Sequence, residues 1–172
     1  MIGRETAKGA VSCAMQTKGW FLMTQQQVLD EAKRCFMQEN MNCAQATAYA
    51  LAKAYDLDAS AITRMLTCFG GGIAAERNVC GAVSGALAVL GARQGSDKGR
   101  ATDAQTYAAA GAVASDFVAM FSEACGSVLC SELTFAKGDA AGQGAFQQHN
   151  GKEKVCLACV QRACALMMDL LA

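Results

Sequence analysis

The chain of 172 residues contains no proline. Alanine is abundant and runs of β-branched residues are few, a combination that favours helices and disfavours a β-sandwich or a β-barrel. Apolar residues make up 53% of the chain and charged residues only 17%, which excludes a disordered protein. The length suits one domain with a buried core. We therefore expect an all-α fold, a single compact bundle of about six helices.

Helical periodicity and capping residues divide the chain from residue 24 onward. Thr24 is a candidate N-cap for a first helix over about 25–38, and Asn42 for a second that ends near Tyr55. Residues 136–150 carry glycine and asparagine breakers, so we expect them to form the longest loop. The other predicted elements are a third helix from Asp58 or Ser60 to the glycine run at 70–72, a fourth over about 79–92, a fifth from Thr102 or Asp103 to about Ala124, a short helical piece near 128–135, and a last helix from a capping box at 150–153 to about Leu171.

The start of the chain differs from the rest because it shows no clear hydrophobic period. We expect residues 1–23 to be a poorly ordered N-terminal extension and residues 24–172 to be the helical domain, with Met23 as an alternative natural start. Charged residues interrupt the extension, so it is expected to be neither a secretory signal nor a membrane anchor. A cytoplasmic location, in which thiols stay reduced, follows from this.

The overall charge bears on the partners. Fifteen basic residues balance fifteen acidic ones, so the sequence shows no electrostatic footprint for nucleic acid or for an anionic membrane. We expect neither as a partner. The apolar fourth and fifth helices could pack against another chain, which would allow a homodimer.

Ten cysteines direct attention to sulfur chemistry, because clustered cysteines in a reducing compartment more often serve metal binding or catalysis than structural disulfides. The most informative stretch is Cys80-Gly81-Ala82-Val83-Ser84-Gly85, which follows the glycine run at 70–72. It places a thiol at a helix start, where free backbone N–H groups and the helix dipole favour the thiolate. Thiolates attack disulfides and bind metals. The glycine run would let the backbone approach a cofactor.

Three more cysteines fall near predicted helix starts, namely Cys43, Cys130 and Cys156. Together with Cys80 they are too widely spaced for a local zinc finger or a ferredoxin motif, so a site built from them must be assembled by the tertiary fold. Each helix would contribute one ligand. Cys159 completes a CxxC with Cys156, but no βαβ pattern surrounds it, which argues against a thioredoxin motif.

The remaining cysteines divide into an open case and a set with no predicted role. Cys125 is either an extra ligand or a resolving thiol. Cys35, Cys68 and Cys164 fall on apolar helical faces, where a buried cysteine acts as a small hydrophobic residue. Cys13 lies in the N-terminal segment. The single histidine, His149, is expected to be a surface residue.

The chain resembles the redox-active proteins of the CGAxxG type, which are named for their C–GCAxxG–C–C cysteine pattern. The resemblance spans residues 25–171 and implies that the signature cysteines are Cys43, Cys80, Cys130 and Cys156. One departure precedes the first cysteine, where residues 40–41 replace a usual glycine-aromatic pair. The matching segments are Asn42-Cys43-Ala44-Gln45-Ala46, Phe69-Gly70-Gly71-Gly72-Ile73, Cys80 to Leu87, Cys130-Ser131-Glu132-Leu133, and Cys156 with Val160.

The resemblance also implies a cofactor and a biological setting. The family is mainly bacterial and archaeal, and a relative fused to a haem domain suggests an iron–sulfur centre. This chain has no haem-attachment motif. A protein of this family would exchange electrons with a redox partner protein of unknown identity.

Three functions remain open at this point. The first is an iron–sulfur protein in electron transfer, with the cluster bound by Cys43, Cys80, Cys130 and Cys156. The second is a metal-free thiol–disulfide protein in which Cys80 attacks and Cys43 or Cys130 resolves. The third is a structural zinc site in a binding module, which a chain with an ample core has less need of. Whether the protein is an enzyme is left open.

Overall fold

The structure, a computed structural model, describes residues 22–135 and 139–172. Over these residues it is all-α, as predicted, with eight α-helices and no strand beyond an isolated bridge between Val79 and Leu129. Cys13 and nearly all of the predicted extension lie outside the described residues. The helices are α1 (Gln25–Met37), α2 (Cys43–Ala54), α3 (Ala59–Met65), α4 (Gly81–Gln94), α5 (Ala104–Cys125), α6 (Cys130–Thr134), α7 (Ala140–Gln148) and α8 (Leu157–Leu170), with a 3-10 turn at Thr67–Phe69 and a π-helical turn at Lys152–Cys156.

The predicted caps start the first two helices. The Thr24 hydroxyl accepts the Gln27 N–H, and the Gln27 side chain accepts the Thr24 N–H in return. Asn42 and Gln45 form the same reciprocal pair at the start of α2. Each capping box satisfies N–H groups that a helix start leaves without partners, and so fixes the residue at which the helix begins.

Helix α2 is the centre of the fold and packs against α1, α3, α4 and α8. Its contact with α4 is close because α4 presents glycine at the crossing. A Cβ atom added at Gly85 would lie 2.4 Å from the Ala44 carbonyl oxygen, a backbone atom that cannot turn aside. The two helices therefore touch backbone to backbone. The side chains of Phe117 and Phe121 anchor α5 in the same core.

Two details near the C-terminus differ from the predictions. The expected loop at 136–150 contains α7, because Asp139 accepts the Gly142 N–H and caps a helix that tolerates its internal glycines. The expected capping box at 150–153 is also wrong. Asn150 takes a left-handed φ of 54° and its side-chain amide donates to the Glu153 carboxylate at 2.8 Å, so the chain continues as the π-helical turn before α8.

The cysteines without a predicted role behave as expected with one exception. Cys35 and Cys164 are buried, whereas Cys68 is exposed. The predicted burial of Cys68 is wrong because α3 ends at Met65, so the helical period that would turn its side chain inward does not reach it. His149 is exposed, as predicted.

Among the described helices, α5 alone is long and apolar enough to cross a membrane, and 11% of its most apolar window is buried in the fold. Core helices of soluble proteins share this length and composition but are mostly buried, whereas this window of α5 is not. The expectation of no membrane partner therefore stays a prediction.

Two glycines of α4 give a matched test of the α2–α4 contact. Gly85→Ala should destabilise the fold by about 1–3 kcal/mol, because the new methyl group collides with the α2 backbone. Gly91→Ala, on the same helix with nothing within 4 Å of the new Cβ, should stabilise it by about 1 kcal/mol through helix propensity. Urea unfolding measures both free energies. Equal effects of the two substitutions would contradict the close backbone contact.

Candidate functional site

A cavity of about 310 Å³ is lined by residues from α1, α2, α6, α7 and α8, by the N-cap residue of α4, and by the segments that precede α2, α4 and α8. All four cysteines singled out in the sequence line it, namely Cys43, Cys80, Cys130 and Cys156. Cys159 lines it as a fifth thiol. The structure therefore brings together residues that lie far apart in the chain, as a site assembled by tertiary structure requires.

Local structure explains why these thiols converge. Cys43 is the first residue of α2, Cys80 occupies the N-cap position of α4, Cys130 is the first residue of α6, and Cys156 ends the π-helical turn. The segments before α4 and α6 are paired by two backbone hydrogen bonds. The Cys80 N–H donates to the Val128 carbonyl at 2.8 Å, and the Cys130 N–H donates to the Asn78 carbonyl at 2.7 Å. This pairing holds Cys80 beside Cys130.

Two glycines lie so close to the cysteines that a side chain at either position would collide with them. A Cβ atom added at Gly72 would lie 2.7 Å from Cβ of Cys130, and one added at Gly81 would lie 2.4 Å from Sγ of Cys43. The Gly71 N–H donates a hydrogen bond to Cys43. These glycines therefore give the sulfur atoms room and a backbone donor.

The same segment is held in a conformation that L-residues avoid. Five consecutive residues, 71–75, have φ between 50° and 74°, and only the first two are glycines. A left-handed conformation costs an L-residue roughly 1–2 kcal/mol, so Ile73, Ala74 and Ala75 store strain at the rim of the cavity. Strain of this kind is concentrated at functional sites, where the surrounding structure enforces it.

The charged residues that line the cavity are cationic. Nη1 of Arg77 lies 3.7 Å from Sγ of Cys130, and its guanidinium packs over the Phe146 ring at 5.2 Å. The Arg77 Nε is buried and has no hydrogen-bond partner among the described residues. Lys152 lines the cavity as well and donates to Asn40 at 2.6 Å. None of the described lining residues carries a carboxylate. The cavity thus favours an anionic content.

The thiols differ in their acidity. A hydrogen bond from the Cys159 thiol, followed by those from the Ala82 and Val83 N–H groups, lowers the Cys80 pKa to about 7 against the opposing effect of burial. Burial raises the Cys156 pKa to about 12, and it also raises the Cys43 pKa, in both cases with a further contribution from neighbouring thiols. The Cys80 pKa is therefore lowered, as the helix start predicted, but Cys159 contributes more to the shift than the N–H groups of the helix start do.

Cys159 has a role that the sequence did not reveal. Its thiol is hydrogen-bonded to both Cys80 and Cys125, and these contacts raise its own pKa. Cys125 is partly buried and lines a separate surface depression rather than the cavity. The CxxC spacing was the only sequence signal for Cys159. Arg77 had no signal, since a lone arginine after a glycine run has no predictive pattern.

Within residues 22–135 and 139–172, no group of three or more histidine, cysteine, aspartate or glutamate side chains is arranged to hold a metal ion.

Comparison with known proteins decides the family. A family model described as "Putative redox-active protein (C_GCAxxG_C_C)" matches residues 41–170. The chain belongs to this family. The resemblance seen in the sequence is thereby confirmed, and this C_GCAxxG_C_C protein is a cysteine-rich, all-α member of a redox-active family. No curated protein and no solved structure matches the chain.

The acidity of Cys80 should depend on Cys159. In the reduced protein treated with a chelator, an ultraviolet thiolate titration should show a step near pH 7 that disappears in Cys80→Ser. In Cys159→Ala this step should move to higher pH, because the largest cause of the lowered pKa is lost. An unmoved step in Cys159→Ala would contradict the assignment.

The lowered pKa of Cys80 also makes the free energy of unfolding depend on pH. The Cys80 pKa in the folded protein lies below its ordinary value of 9.0, so the thiolate stabilises the fold fully above pH 9. This contribution is lost as the pH falls through about 7. Urea unfolding of the wild type and of Cys80→Ser is measured at several pH values. The difference between their free energies of unfolding gives the contribution of the Cys80 thiolate at each pH.

Proposed function

We propose that this C_GCAxxG_C_C protein is an electron-transfer protein that binds an iron–sulfur cluster through Cys43, Cys80, Cys130 and Cys156. The observation that carries the proposal is that four thiols from four separate segments line one cavity whose charged residues are all cationic. When bound, the cluster would supply reversible one-electron chemistry at a potential set by its surroundings.

The chemistry of the donor set fits this group. Cluster irons take thiolate ligands, and four are present, each from a different element of the fold. Backbone N–H donors face the sulfurs, from Gly71 toward Cys43 and from Ala82 toward Cys80. Such donors tune and orient thiolate ligands. The buried Arg77 Nε, which has no partner among the described residues, offers a further donor beside Cys130.

A single zinc ion fits the same thiols less well. Structural zinc needs four ligands at about 2.0–2.3 Å from one point. The four thiols lie around a cavity of about 310 Å³, which is much larger than one ion. A polynuclear cluster, whose irons are spread over several ångströms, suits thiols that are placed apart.

The other lining residues set the polarity and the charge around the sulfur atoms. Phe36, Leu133, Phe146 and Val155 give it apolar walls that restrict water. Low polarity strengthens each electrostatic contact, so the Arg77 guanidinium has a larger effect on nearby thiolates here than it would in water. These residues give the sulfur atoms a largely apolar and electropositive setting.

One observation favours the metal-free alternative. Cys80 has a lowered pKa and its thiol is hydrogen-bonded to Cys159, an arrangement in which one thiolate attacks a disulfide and a neighbour resolves the product. The hydrogen-bonded neighbour in the structure is Cys159, whereas the sequence pointed to Cys43 or Cys130. Iron analysis separates this alternative from the proposed function.

Cysteine substitutions test the proposed ligands. Cys43→Ser, Cys80→Ser, Cys130→Ser and Cys156→Ser should each lower iron affinity by more than the roughly 10–100-fold typical of losing an outer-shell partner. Iron and acid-labile sulfide are measured after anaerobic purification and reconstitution. The control is Cys68→Ser, which changes an exposed thiol outside the cavity and should leave both contents unchanged. Full iron content in all four ligand variants would refute the proposal.

Arg77 should tune the reduction potential. In Arg77→Gln a positive charge beside Cys130 is lost, so the reduced, more negative state is stabilised less and the potential falls. A loss of about 1.4 kcal/mol of interaction corresponds to about 60 mV for a one-electron couple. Redox titration followed by visible absorption measures the shift. The control is Arg93→Gln, because the Arg93 guanidinium packs over the Tyr55 ring and does not line the cavity. This substitution should not shift the potential.

A further inference from the structure

Phe135 is the most exposed large apolar side chain in the part of the chain that the structure describes, with 92% of its surface in solvent. It follows α6 directly and takes a left-handed φ of 51°. This conformation is unfavourable for an L-residue, and strain of this kind is concentrated at functional sites. An exposed aromatic ring is also the kind of side chain that anchors protein–protein interfaces.

Phe135 borders a groove that adjoins the four-cysteine cavity. The groove has a volume of about 500 Å³, and its other walls come from the second half of α7 and from the segment that leads into α8. Thr134, Phe146 and Val155 line both the groove and the cavity. A molecule bound in the groove would therefore contact side chains that also border the space between the thiols.

The charges around the groove and the cavity have one sign. Arg77 and Lys152 line the cavity, and Lys154 lines the groove. None of the described residues that line either space carries a carboxylate. Charged groups across a protein–protein interface are arranged so that opposite potentials face each other. The two spaces together therefore suit a partner that is acidic where it touches them.

The carboxylates of the neighbouring segments do not cancel this charge within the groove. Glu76 and Glu153 are next to the cations in sequence, but they line neither the cavity nor the groove. Glu132 lies beyond Phe135, in a separate depression, where it accepts a hydrogen bond from the Ser127 hydroxyl.

We propose that the groove and the Phe135 ring form the docking surface for a small electron-carrier protein whose surface is acidic around its redox centre. The inference rests on the proposed electron-transfer function and deepens it, because it assigns the class of partner and the side of the molecule to which that partner binds. Weak electron-transfer complexes bury less than about 1,200 Å², so one aromatic anchor and a few cations suffice for such a contact.

The same charges argue against a second copy of this chain as the occupant. A two-fold dimer brings the same patch of both copies together, so the cations of one copy would face those of the other. Like charges opposite each other disfavour an interface. An acidic carrier has no such repulsion and gains attraction instead.

Two electron carriers of opposite charge test the docking surface. The anaerobically purified full chain is titrated by calorimetry at low salt with flavodoxin, an acidic carrier, and with cytochrome c, a basic one. Flavodoxin should bind, and its affinity should fall as salt is added. Cytochrome c should not bind. Absence of flavodoxin binding, or equal binding of both carriers, would overturn the inference.

Substitutions on the surface locate the contact. Phe135→Ala should weaken flavodoxin binding at least about fivefold, as the loss of an interface anchor does. Lys154→Glu should weaken it about tenfold or more at low salt, because a charge of the wrong sign then faces the acidic carrier. Both side chains are exposed, so neither substitution removes a core contact.

The matched controls are Tyr107→Ala and Lys98→Glu. They change an exposed aromatic ring and an exposed lysine that line neither the cavity nor the groove, and both should leave the affinity nearly unchanged. Equal losses in Lys98→Glu and Lys154→Glu would mean that net charge alone drives binding, and would overturn the assignment of the surface.

Cross-linking of the wild type decides even where a variant fails to fold. A carbodiimide joins lysines to carboxylates that touch them, and mass spectrometry then maps the linked peptides. Links from Lys152 or Lys154 to flavodoxin are expected. Links to flavodoxin only from other lysines would overturn the inference, as would a dimer of this chain that Phe135→Ala dissociates in sedimentation.

Iron measured in the same wild-type samples separates this inference from the proposed function. Flavodoxin binding that depends on Phe135 and Lys154, in a protein that binds no iron, refutes only the cluster. Bound iron in a protein that does not bind flavodoxin refutes only the docking surface.

Discussion

The backbone contact between α2 and α4 is the constraint on which the rest of the structure depends. Gly85 lets the α4 backbone rest on the Ala44 carbonyl, and Gly81 leaves room for the Cys43 sulfur. Side chains at these two positions would push the helices apart, since close-packed interiors absorb little added volume. Because both contacts occur at helix starts, the close approach also brings Cys43 and Cys80 to one point of the fold.

The cavity that results is an unusual place for thiols. Burial alone would keep them protonated, and it raises the pKa of Cys43 and Cys156. The pKa of Cys80 is lowered instead, because Cys159 and the α4 backbone donate hydrogen bonds to its sulfur. The Gly71 N–H, which donates to Cys43, and the Arg77 guanidinium beside Cys130 make the cavity wall electropositive. Such a wall favours thiolates and other anionic sulfur species, in keeping with membership of a redox-active family.

The sequence predicted the fold best where local signals were strong. Thr24 and Asn42 mark helix starts because a capping box acts within four residues, so its effect does not depend on distant packing. It predicted least well between 136 and 150, where glycines concealed α7 and an Asn-Gly pair imitated a cap. Cys68 was misplaced for a related reason, since a helical period carries information only as far as the helix extends.

By itself the sequence determined the all-α class, the family and the identity of four cysteines near helix starts, because composition, caps and the CGAxxG pattern are local properties. The tertiary structure alone decided that these thiols share one cavity, that Arg77 lies beside Cys130, and that Cys159 bridges Cys80 and Cys125. These contacts join segments far apart in the chain. Their distances follow from how closely the helices pack, and no spacing in the sequence records that packing.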